Sequence, residues 1–76
     1  MGKLEKAFGE VLRTLRAEKN ISQEELGFET DLHRTYISML ERGLRCPTIN
    51  TIFSIAKALE EPPSKIVRMV ENAVKR

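Results

Sequence analysis

Between His33 and Arg45 the chain sets the guanidinium groups of Arg34, Arg42 and Arg45 among the hydroxyls of Thr35, Tyr36 and Ser38, with Glu41 the one acid in the stretch. This mixture suits recognition by hydrogen bonds and charge. A guanidinium is always protonated and presents a rigid fork of N–H donors that matches a phosphate or the O6/N7 edge of guanine. Hydroxyls add donors and acceptors for base edges and phosphate oxygens. Just upstream the acids gather at Glu24, Glu25, Glu29 and Asp31, so a polar molecule with one basic face is expected.

No bond-breaking machinery accompanies these groups. His33, the only histidine, has no nucleophile or second ligand near it in sequence. Ser/His/Asp sets, paired carboxylates in an apolar setting, glycine-rich phosphate loops and Cys/His clusters of metal-ligand spacing are all missing from the sequence. The reading is a non-enzyme that needs no metal and no cofactor. Thirteen Lys and Arg against eleven Asp and Glu leave a charge of only +2, so the distribution of charge carries the anion-binding reading, not its total. Cys46 stands alone and cannot close a disulfide within the chain, which fits a reducing interior. No signal-peptide core occurs, and no apolar run approaches the roughly 18 residues of a membrane span. A cytoplasmic protein with no membrane partner is expected.

The polar groups must be carried by something rigid, and the apolar pattern supplies it. At 76 residues, 41% hydrophobic and 32% charged, the chain is expected to fold as a single domain over 1–76 with one modest core. Apolar residues recur at three- and four-residue spacing and nowhere alternate for long, so the fold class is all-α, a compact five-helix bundle. The first helix runs from about Leu4 to Lys19, with Leu4, Phe8, Val11, Leu12 and Leu15 on one stripe and Asn20 as its stop. Ser22 followed by Glu25 is a capping box that opens a short second helix ending near Thr30. Asp31 or His33 opens a third, with Ile37 and Leu40 inward, which runs through Arg42 to a stop at Gly43. Pro47 breaks the chain and Thr48 caps a fourth helix with Ile49, Ile52, Ile55, Ala56 and Leu59 inside. Glu61 to Ser64 interrupts again, and a last helix begins near Pro63 or Ser64.

Helices two and three, residues 22–43, have the form of a helix-turn-helix, in which one helix rests across the phosphate backbone and holds a second in the major groove. Several stretches here resemble the Cro/C1-type, or XRE-type, helix-turn-helix regulators: Ser22-Gln23-Glu24-Glu25-Leu26, Leu32-His33-Arg34-Thr35-Tyr36-Ile37-Ser38, Leu40-Glu41-Arg42-Gly43, Pro47-Thr48 and Ile55-Ala56-Lys57-Ala58-Leu59. Arg34 to Ser38 with Glu41-Arg42 and Arg45 is most like the controller proteins of restriction–modification systems. Two positions depart from the pattern: Asp31 stands where the family usually has Gly, and Gly27 where it usually has Ala.

The resemblance implies a lambda repressor-like fold and a sequence-specific regulator of transcription on double-stranded DNA. An autoregulatory restriction–modification controller is the narrower expectation, with RNA polymerase a candidate further partner. The alternative is an antitoxin-like or protein-interaction module on the same fold. Base contacts are expected from Arg34, Thr35, Ser38 and Met39, though Met39 can equally shield an apolar edge. Backbone contacts are expected from Gln23, His33, Tyr36, Arg42 and Arg45, with packing over the helix pair the alternative for the Tyr36 ring. The resemblance also implies a structural ion pair between Arg16 and Glu41. In the last helix, residues 63–76, Ile66, Val67, Met69, Val70, Ala73 and Val74 spread over an arc of roughly 160°, wider than one core contact needs. A homodimer buried on Phe53, Val67, Val70 and Val74 and bound to a palindromic operator is the expectation; packing wholly within the monomer is the alternative.

Overall fold

A computed structural model describes residues 2–76; Met1, the first residue of the expected 1–76 domain, lies outside them. The chain forms five α-helices, α1 (Lys3–Glu18), α2 (Gln23–Thr30), α3 (Arg34–Glu41), α4 (Ile49–Ala58) and α5 (Pro63–Lys75), with no strand among the described residues. The starts follow local chemistry. Ser22 Oγ accepts from the Glu25 amide at 3.0 Å while the Ser22 amide donates to Glu25 Oε1 at 2.9 Å, closing the capping box. Thr48 Oγ1 accepts from the Thr51 amide at 3.1 Å. Pro63 opens α5 at its first turn, where a missing N–H leaves no bond unmade.

The ends of α1 to α4 share one device. In each, one residue turns left-handed and the next donates its amide five positions back, satisfying a carbonyl that the helix leaves free. The left-handed residues are Asn20 (φ 62°), Asp31 (φ 60°), Gly43 (φ 74°) and Glu60 (φ 58°). The closing bonds are Ile21 to Arg16, Leu32 to Gly27, Leu44 to Met39 and Glu61 to Ala56, between 2.9 and 3.1 Å. Asp31 therefore makes this turn without being a glycine. Glu60 is less expected, since a left-handed glutamate costs about 1 kcal/mol and the sequence marks the break only from Glu61 onward.

The core lies where α1 packs on α3 and α5, and α2 packs on α3 and α4. Phe8, Leu12 and Leu15 of α1 meet Leu26 of α2, Ile37 and Leu40 of α3, Ile55 and Leu59 of α4, and Ile66 of α5. Each such side chain contributes about 1.5–3 kcal/mol by leaving water. Two stripe residues are corrected: Leu4 is 55% and Ile49 63% exposed. Both sit in the first turn of their helices, at the rim of the bundle, where periodicity continues but the neighbouring helices do not cover them. Gly9 admits a close approach between α1 and the end of α3. A Cβ there would stand 2.5 Å from the carbonyl oxygen of Glu41, so any larger residue would push α1 off the end of α3. No helix among the described residues is long and apolar enough to cross a membrane.

Candidate nucleic-acid interface

α3 is only eight residues long, and its inward side is fixed by Ile37, Leu40 and Glu41. At ~100° per residue, that leaves an outward face centred near Thr35 and flanked by Met39 and Arg42, with Ser38 and Arg34 further round on the side toward α2. Arg34, Thr35 and Arg42 are exposed, while Ser38 and Met39 are half-buried. Arg34, Thr35 and Ser38 share one shallow cleft with Gln23 of α2. Met39, Arg42 and Arg45 lie outside it. Arg42 caps the C-terminal end of α3, and Arg45 stands exposed in the loop that follows.

His33 is the N-cap of α3, and its Nδ1 accepts from the Thr35 amide at 3.1 Å. A neutral imidazole that accepts at Nδ1 carries its proton on Nε2, so the exposed side of the ring is a donor. The Tyr36 ring packs against the core, half-buried, which is the alternative that the sequence left open for it.

Behind this surface lies a buried carboxylate. Glu41, its side chain 4% exposed, accepts from Arg16 Nε at Oε2 (2.6 Å) and from Arg16 Nη2 at Oε1 (3.0 Å). This bidentate pair joins α1 to α3, and the bonds from Glu41 hold the Arg16 guanidinium pKa above its ordinary value against the opposing effect of burial. Arg16 Nη1 also donates to the Ile21 carbonyl at 2.9 Å, tying in the α1–α2 turn. Gln23, expected at the DNA backbone, turns its amide partly inward: Nε2 donates to Glu41 Oε1 at 3.0 Å.

Two contributors have no motif in the sequence. Arg13 Nη2 donates to the Glu41 carbonyl at 3.2 Å, satisfying an acceptor at the C-terminal end of α3. Phe28 projects from α2 at 89% exposure, although the helical spacing gives it no special place. The expected dimer residues divide. Phe53 (56%) and Val67 (50%) are exposed, whereas Val70 is only 8% exposed and lies in the core of the monomer. Its assignment to a surface between chains is corrected, because α1 packs over that part of α5. Val74 is half-buried at the margin of the same core. Leu4, Val67 and Pro47 line an apolar groove floored by Phe8, Ile66 and Val70, with the exposed Cys46 at its rim.

A short helix with Arg34 and Thr35 leading, braced by a second capped helix and anchored from behind by a buried ion pair, defines a helix-turn-helix DNA-binding regulator. Residues 12–66 match the family described as "Helix-turn-helix", and the chain belongs to that family. It is 49% identical over 61 residues to the control protein C.BamHI of Bacillus amyloliquefaciens, a match that covers 79% of this chain and 75% of that one. Its fold is similar to the restriction-modification controller protein C.AhdI of Aeromonas hydrophila, with a TM-score of 0.79, 39% identity, and coverage of 82% of this chain and 94% of that one. It is also similar to the controller protein C.Esp1396I, solved as a tetramer in complex with its natural 35 base-pair operator, with a TM-score of 0.89 and 32% identity over 100% of both chains.

Proposed function

We propose that the chain binds a palindromic operator as a homodimer and acts as an autoregulatory controller of a restriction–modification operon. The observation that carries this reading is the cleft in which Arg34, Thr35 and Ser38 of α3 stand beside Gln23 of α2. Arg34 and Thr35, exposed in the first turn of α3, reach base edges, with Ser38 and Met39 one turn deeper. The Gln23 amide, the Nε2–H of His33, the Tyr36 hydroxyl and the guanidiniums of Arg42 and Arg45 hold phosphates on either side. One such helix reads only a few base pairs, so a second copy is needed for specificity. The exposed Phe53 and Val67, joined by Leu4 and Ile49, are the apolar surface on which the copies meet. A two-fold dimer would place its recognition helices about 34–36 Å apart, one turn of duplex. The complex of the similar protein C.Esp1396I with its natural operator supports an operator as the ligand.

Selection of bound sequences from random duplexes, followed by mobility shifts over a salt series, tests the reading. The expected result is an inverted repeat bound with an affinity that falls steeply with salt, by a slope of about −0.9 per neutralised phosphate. Recovery of no common sequence, with salt-insensitive association to another protein instead, would support the protein-interaction alternative and reject this one.

A further inference from the structure

The bidentate pair with Arg16 already gives each oxygen of the buried Glu41 carboxylate a charged donor, at 2.6 and 3.0 Å. The third bond, from Gln23 Nε2 to Oε1 at 3.0 Å, is therefore not needed to satisfy the charge. Nor is Gln23 a fully buried residue obliged to find a protein partner: it is the first of α2 and only half-buried. The bond acts on something else, the freedom of a long side chain that borders the cleft of Arg34, Thr35 and Ser38.

We propose that Glu41 is a positioning residue for DNA binding: its carboxylate takes one N–H of the Gln23 amide and thereby holds the other N–H at the mouth of the α2–α3 cleft for a phosphate oxygen. A free glutamine gives up rotamer entropy when a ligand immobilises it. One already held by a charge-assisted hydrogen bond, stronger than a neutral one, gives up less on binding. The same carboxylate thus links α1, α2 and α3, and the ion pair behind the interface sets the aim of a group in front of it. The inference rests on the reading that this cleft faces DNA.

The side-chain amide spectrum of the free protein provides the first test. The two Nε2 protons of Gln23, inequivalent in any primary amide because rotation about its C–N bond is slow, should lie further apart than in a free glutamine, one shifted downfield by the carboxylate, and Glu41→Gln should return their spacing toward the free value. The second test is a double-mutant cycle in operator affinity, read at a low temperature where circular dichroism shows every variant folded. Gln23→Ala should weaken binding roughly 3- to 10-fold, the worth of one hydrogen bond, without lowering the melting temperature appreciably. Glu41→Gln should weaken binding by a similar factor, and in the Gln23→Ala background it should weaken it no further. Salt slopes should stay unchanged, because no cation is removed. Additive losses in the cycle, or Gln23 amide protons at free-glutamine positions in the wild type, overturn the proposal. Should Glu41→Gln fail to fold, Gln23→Asn, one methylene too short to reach both Glu41 and a phosphate, must weaken binding as Gln23→Ala does; wild-type affinity in that variant overturns it. A wild type that binds no selected duplex while its Gln23 amide is held would instead defeat the DNA reading of the cleft.

Discussion

Leu32 closes the turn between α2 and α3 by donating its amide to the Gly27 carbonyl at 3.0 Å, and its own carbonyl oxygen stands 2.7 Å from where a Gly27 Cβ would be. Alanine at 27 would gain about 1 kcal/mol of helix propensity. It would also drive a methyl group into backbone that cannot swing aside. Gly27→Ala is therefore expected to destabilise the fold by about 1–3 kcal/mol. A thermal melt checks the sign, and a raised melting temperature would show that the turn can open without loss.

Glu41→Ala leaves Arg16 buried against α3 with its partner gone. Removing one member of a buried pair costs about 3–5 kcal/mol, and the 18% exposure of the Arg16 side chain places this one toward the lower end. Urea titration measures it; an unchanged midpoint would mean that the pair does not hold the helices.

Arg34 and Arg42 should fail differently. Arg34→Ala should cost about 1–3 kcal/mol at the preferred operator and much less at mismatched sites, so specificity relaxes. Arg42→Ala should weaken binding to all duplexes alike and reduce the salt slope by about 1. Titrations of operator and scrambled duplex at several salt concentrations separate the two. Equal losses everywhere for both variants would reject the division of labour.

Glu61 bridges Lys65 within α5's first turn and Lys19 at the end of α1, at 3.1 and 3.2 Å. The bonds from Lys65, then Lys19, hold its pKa below the ordinary glutamate value despite some burial. A lowered folded-state pKa means that the unfolded chain takes the proton first. The contribution is thus whole above the unfolded pKa and is lost as the pH falls through the folded one. Glu61→Gln should accordingly lower the denaturant midpoint slightly at pH 7 and not at all at pH 2. A difference from wild type that persists at pH 2 would show another cause.

Phe53→Lys and Val67→Asp each place a charge on the surface proposed for dimerisation without touching the core. Both should sediment as monomers at concentrations where the wild type is dimeric, with melting of the monomer little changed. Dimers in both variants would move the interface elsewhere.

Much of this architecture was legible in single residues and short spacings. Ser22 with Glu25, Thr48, Asn20 and Gly43 act through bonds to backbone only a few positions away, and Pro63 through its own fixed φ and missing N–H, so composition and order suffice to place them. The exposed lead of α3 was legible for the same reason, since a helix of known start has a known outer face. What only the tertiary structure decided concerns groups that meet across the chain. The Gln23 amide donates to Glu41, 18 positions later; Arg13 reaches the end of α3; Gly9 is small because Glu41 O is there; and Val70 is inside whereas Ile49 is outside. Hydrophobic period assigns a residue to a side of its helix, but whether that side is covered depends on which other helix arrives and how far it extends. That is settled by packing all five together, and no local pattern contains it.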